Sequence, residues 1–182
     1  MKILSTLLLV CLLSASMHTK AQSTASIFLK FVDQSGTPIP GESASTVYPN
    51  STEGLSFSQG SEACATGSGC PVVTSPLNFM IFLDKSVNPL RRVMYNGQTL
   101  QSVDVYFRKP GATFDYLKIH IEQVKLLSIQ ESGTGTESNA VSLSLAPQRI
   151  GWTYTPQLSG GAPGTPVKFG WDIQSNVEWF SF

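Results

Sequence analysis

The sequence is poor in charge, histidine and cysteine, and each shortage removes a class of function. Charged residues make up 13% of the 182 residues, 12 basic against 12 acidic, for a formal net charge of zero. No basic cluster exceeds Arg91-Arg92, so nucleic acid is not an expected partner. Beyond the N-terminal segment no apolar run approaches the roughly 18 residues of a membrane-spanning helix. Histidine occurs only at His18 and His120, and cysteine only at Cys11, Cys64 and Cys70. Two thiolates without nearby histidines make half of a zinc site, so neither metal nor cofactor is expected. There is no GxSxG turn. The GTG at Gly133 lacks the third glycine and the strand-then-helix setting of a dinucleotide loop. Two chemical alternatives are a Ser-His-Asp site through His120 and, separately, an acid/base pair among Asp104, Asp115 and Glu122, brought together across adjacent strands. Solvated strand faces produce the same pattern, and no catalytic residue is assigned.

What is present begins with an export signal. Lys2 supplies a basic start, Ile3 to Leu13 form an apolar run, and a polar stretch leads to Thr19-Lys20-Ala21. This is the layout of a signal peptide over residues 1–21, cleaved after Ala21. Cys11 follows bulky Val10, which argues against a lipid anchor. Removing the segment takes Lys2 and Lys20 with it and leaves a single domain, residues 22–182, with a formal net charge of −2. The expected location is the periplasm or the extracellular medium. Cys64 and Cys70, separated by ATGSG, then suit a disulfide. Closing so small a loop would contribute roughly 2 kcal/mol on the chain-entropy estimate. Two free thiols are the alternative.

Most of the chain alternates with period two, as half-buried strands do. In SIFLKFV, Ile27, Leu29 and Phe31 share a face. Leu55 and Phe57 alternate with serines in GLSFSQG. LNFMIFLD, from Leu77, is apolar on both faces and is expected at the centre of a sheet. Val103, Val105 and Phe107 face one way, and Asp104, Tyr106 and Arg108 the other. Leu117, Ile119 and Ile121 continue the pattern, and Val124 to Ile129 extend that strand past a bulge. Val141, Leu143 and Leu145 mark a further strand, as do Ile150, Trp152 and Tyr154, and then Val167, Phe169, Trp171 and Ile173. One helix is predicted, with Asn88 as N-cap, Pro89 at its first position, a stripe of Leu90, Val93 and Met94, and an end at Asn96-Gly97. Many short strands with one helix predict a single closed or sandwich-like β-domain.

In order and spacing these segments resemble the Hcp (haemolysin-coregulated protein) family, the tube protein of the bacterial type VI secretion system. GLSFSQG looks like that family's second strand. LNFMIFLDKSVNPLRRVMYNGQTLQSVDVYFR is similar to its most recognisable stretch, an apolar strand, an Asp-Lys-Ser approach, a short helix and an alternating strand. IGWTYTP and FGWDIQSNVEW look like its last two strands. The likeness covers roughly Ser26 to Trp179.

The resemblance implies a mainly β fold, a barrel of two packed antiparallel sheets with one short α-helix. It also implies a non-enzymatic protein whose copies close into hexameric rings, stack into tubes and carry small effectors in the lumen. The export signal sets this chain apart from members that assemble in the cytoplasm. The cysteine pair falls in the loop that the family extends toward the next ring. Three other readings compete: an exported carrier or binding protein that forms no tube, a hydrolase, and, from the closing VEWFSF, an outer-membrane barrel. Lys30, Arg108 and Lys118 interrupt the apolar outer face that a membrane barrel requires.

Overall fold

The computed structural model describes residues 27–63, 72–133 and 139–182. The signal segment therefore lies outside the described residues, as do Cys64 and Cys70. The strands are β1 (Ile27–Val32), β2 (Pro38–Ile39), β3 (Thr52–Ser58), β4 (Ser61–Glu62), β5 (Val73–Thr74) and β6 (Leu77–Phe82). After the helix α1 (Val87–Tyr95) come β7 (Leu100–Phe107), β8 (Leu117–Ser132), β9 (Ala140–Ala146), β10 (Arg149–Tyr154), β11 (Val167–Asp172) and β12 (Val177–Glu178).

The 16-residue β8 closes the fold. Along one edge it pairs with β7; along the other, its first half pairs with β10 and its second half with β9. Following β7, β1, β3, β6 and β9 leads back to β8, a closed six-stranded antiparallel barrel. β10, β11 and β12 continue the sheet outward as a flange, while β4 and β5 form a separate two-stranded ribbon. Two irregularities let β8 bend round the barrel. Gln123 sits at φ 50°, which moves the inward-facing set from Ile119 and Ile121 to Val124 and Leu126. The register with β9 then slips at Leu127, leaving that side chain exposed. The bulge expected in this strand is thus present, and it serves curvature.

The barrel interior is a hydrocarbon core. Leu29, Phe31, Phe79, Ile81, Val103, Val105, Ile121, Val141, Leu143 and Ile150 are all at most 2% exposed. Burying each aliphatic or aromatic side chain contributes roughly 1.5–3 kcal/mol. This arrangement is the reverse of a membrane barrel, which is polar within and apolar without. None of the helices among the described residues is long and apolar enough to cross a membrane.

The helix docks on the core through Val87, Leu90 and Val93, with Met94 partly buried beside them. Its end is as expected: Gly97 at φ 66° and the bonds Gly97 N–H to Met94 O (3.1 Å) and Gln98 N–H to Val93 O (3.0 Å) form a Schellman cap. Its start differs from expectation. The N-cap is Ser86, not Asn88, and Pro89 is the third helical residue. Asp84 decides this. Its Oδ1 accepts from the Ser86 amide (2.9 Å) and hydroxyl (2.5 Å), while Thr52 donates to the buried Ser86 Oγ at 2.9 Å. Pro89 still falls in the first turn, where a missing N–H costs nothing.

Candidate assembly surface

Because the barrel interior is filled, function falls to its outer surface, which the strand registers divide in two. One half comes from β1, β7, the first half of β8, β10 and β11. Cross-strand registry aligns its outward residues in three rows. The first is Phe28–Tyr106–Lys118–Thr153–Lys168, the second Lys30–Asp104–His120–Gly151–Gly170, and the third Val32–Ser102–Glu122–Arg149–Asp172.

Two segments cover this half. From the loop after β2, Tyr48 packs on Phe28 (ring centroids 5.0 Å) and stacks on Tyr106 (4.6 Å). Its hydroxyl donates to Asp115 Oδ2 at 2.5 Å, while Arg108 Nε donates to Asp115 Oδ1 at 2.8 Å. Burial, then the bond to Asp115, push the Tyr48 hydroxyl well above its ordinary range. Burial raises Tyr106 to about 12. Residues 173–182 form the second cover and lie over His120 and the Gly151–Gly170 pair.

The carboxylates singled out in the sequence separate here. Asp104 and Glu122 both reach His120, at 2.6 Å from Nδ1 and 3.4 Å from Nε2, but Asp115 belongs to Tyr48 and Arg108. Glu122 also accepts from Arg149 (3.2 Å), whose Nε donates to Asp172 at 2.9 Å. That bond raises the Arg149 pKa and lowers that of Asp172. Among the described residues no serine hydroxyl is a partner of His120. Both its ring nitrogens are committed to carboxylates, so the cluster is a structural ion network.

The other half is made by β3, β6, β9 and the second half of β8. Its rows are Ser58–Asn78–Ser144–Ser128, then Ser56–Met80–Ser142–Gln130, then Phe82–Ala140–Ser132. None of these residues carries a charge. LNFMIFLD, apolar on both faces, was expected at the centre of a sheet. It is central in sheet order, between β3 and β9, yet only Leu77, Phe79 and Ile81 are buried. Met80, Phe82 and Leu83 face outward at 39%, 37% and 44% exposure, and Leu55 and Leu127 are exposed too. Among the described residues nothing covers this four-stranded, serine-rich face, whose three rows are uncharged and whose nearest charge is Lys125 of β8, one row further on opposite Ala146.

Residues 28–154 match the family model described as type VI secretion system effector, Hcp. The chain belongs to the Hcp family. Protein hcp1 of Pseudomonas aeruginosa is 32% identical over 108 residues, which span 56% of this chain and 65%, just under two thirds, of that relative. The crystal structure of Hcp1 from Salmonella typhimurium superposes with a TM-score of 0.72 at 22% identity, over 86% of this chain and 100% of that one. A structure of a type six secretion system protein gives 0.75 at 22% identity, over 85% and 99%. At that identity the structures establish the fold, and it is the barrel that the resemblance implied. Membership of this family marks the chain as a protein of the type VI secretion system kind and not as an enzyme.

Proposed function

We propose that six copies of this chain close into a ring, and that rings stack into the tube of a type VI, contractile-injection type of apparatus. The observation that carries this reading is the Hcp match over residues 28–154. In it, the bare face of β3, β6, β9 and β8 turns toward the lumen. Small neutral side chains suit that role, since they offer a passing effector no fixed charge to bind. The ionic half is already satisfied within the protomer and needs no partner.

The signal-like residues 1–21 are removed on export in this reading, and the mature chain acts in the periplasm or outside the cell. The proposed Cys64–Cys70 bridge closes the loop between β4 and β5 and preorganises a contact with the next ring. The export signal also favours a second reading, an exported Hcp-fold binding or carrier protein that forms no tube.

Light scattering on purified residues 22–182, followed by negative-stain imaging, separates the two. A six-fold ring is the expected particle. A clean monomer at high concentration would overturn the ring and leave the second reading standing.

A further inference from the structure

Residues 173–182 leave β11 through a four-residue turn, in which Asn176 takes the left-handed conformation at φ 56°. β12 then pairs with β11 over only two positions, and the Trp179 amide donates to Gly170 O at 3.0 Å. The seat for this segment is two opposed glycines. A Cβ on Gly170 would stand 1.9 Å from Trp179 O, and one on Gly151 would stand 2.6 Å from the Phe182 ring. Next in the same row is His120. Its ring lies 6.5 Å from that of Phe182 at 9° between planes, and 6.0 Å from that of Trp179 at 29°.

We propose that residues 173–182 form a strap whose hold on the barrel is set by the proton on His120. The imidazolium donates from both nitrogens, one to Asp104 and one to Glu122; the neutral ring has a single N–H and leaves one carboxylate unserved. The imidazolium also attracts the face of Trp179, at 6.0 Å, more strongly than the neutral ring does.

Charge balance under the strap acts in the same direction. Asp104 of β7 and Glu122 of β8 touch the ring, and Arg149 of β10 bridges Glu122 to Asp172 of β11. With the proton, this chain of groups sets two cations against three carboxylates; without it, one. Apolar rings cover the nearer balance at less cost. Lys30 and Lys118 flank the cluster on β1 and β8. Lys168 of β11 is occupied with the carbonyl of Phe182, at 2.8 Å. Glu178 of β12 lies opposite Trp171.

The bond to Asp104 is the main cause that holds the His120 pKa above its ordinary 6.5, with burial opposing and Glu122 assisting. A raised pKa in the folded state means that the stabilisation is complete below 6.5 and is lost as pH rises through the folded value. That linkage belongs to the fold as a whole, because Asp104 and Glu122 stay on the barrel when the strap lifts; the strap's own preference for acid comes from the rings over the imidazolium and from the smaller net charge they then cover.

The test is hydrogen–deuterium exchange on the purified chain, with rates divided by the intrinsic exchange rate at each pH. Between about pH 6 and about pH 8.5, protection of residues 177–180 should fall at least about fivefold. Protection in β1 and β7, which reports the whole fold, should fall less. His120→Gln should abolish the fall, and Asp104→Asn, which keeps the imidazole, should shrink it. Unchanged protection in the wild-type chain, or an equal fall in the folded His120→Gln variant, would overturn the proposal.

Discussion

The two halves of the barrel's outer surface share one backbone plan and differ in what their outward residues require. In the half around β7 the side chains are long, charged or aromatic, and cross-strand registry sets opposite charges beside one another: Lys30 opposite Asp104, Asp104 opposite His120, Arg149 between Glu122 and Asp172. Such groups tolerate burial only when paired, and paired they make a surface on which Tyr48 and residues 173–182 can settle. In the half around β6 the serines and Asn78 have no such needs. Water satisfies them, and no segment of the described chain folds over them. The covered half completes the protomer, and the other half is the one that the proposed ring has free. The difference teaches that in this barrel availability is signalled by the lack of demanding side chains.

Removing the pin of the covered half should have the largest effect. Asp115 is buried and holds the Tyr48 hydroxyl and the Arg108 guanidinium together. Asp115→Ala leaves them only the long bond from Arg108 Nη2 to the Tyr48 hydroxyl, at 3.4 Å, and unfolding by urea should show a loss of about 3 kcal/mol. Tyr48→Phe removes the bond to Asp115 and the long one from Arg108 Nη2, while Arg108 Nε still serves Asp115, so its cost should be about 1 kcal/mol. Equal costs for the two would mean that Asp115 serves packing instead of pairing.

The second cover offers a smaller handle. Gly170→Ala places a methyl group where Trp179 O now sits, and the strap must shift or lift. An overpacked site of this kind costs about 1–3 kcal/mol. Exchange should locate the damage in residues 177–182, with β1 and β7 unaffected. Damage spread into the core strands would show that the strap and the barrel fold as one unit.

How far the sequence foretells these features depends on where their information lies. β1, β7, β9, β10 and β11 were legible because alternation is a local consequence of one face packing on the core. The helix was legible in its stripe and its Gly97 end, but not in its start. That start was decided by a contact between Asp84, Ser86 and Thr52, residues 34 apart in the chain. The central place of β6 was legible, but not the exposure of its Met80 and Phe82 face: apolar residues on both faces signal burial or assembly equally well, and only the folded neighbours tell which. His120 looked like a possible catalytic residue until registry set Asp104 and Glu122 beside it. The covers were not legible. Tyr48 sits in a loop without period, and Gly151 and Gly170 read as ordinary strand glycines until their partners are known. The cysteine pair lies outside the described residues, and its bridge stays a proposal for thiol titration.

The smallest expected effect is the most informative about the bare half. Met80 stands mid-face, between Ser56 and Ser142, at 39% exposure. Met80→Lys should change protomer stability by no more than about 0.5 kcal/mol, because the ammonium group stays in water. Its effect on assembly then depends on where the face points. In a lumen wider than the Debye length of about 10 Å at 0.1 M salt, six lysines are screened from one another and the rings should persist. Between copies, the same lysine would be buried without a partner, and the rings should fall apart at any salt concentration. Light scattering at low and high salt distinguishes the two. Persisting rings would place the serine-rich face along the channel, while dissociation would make it the seam between protomers and reverse the assignment of the two halves.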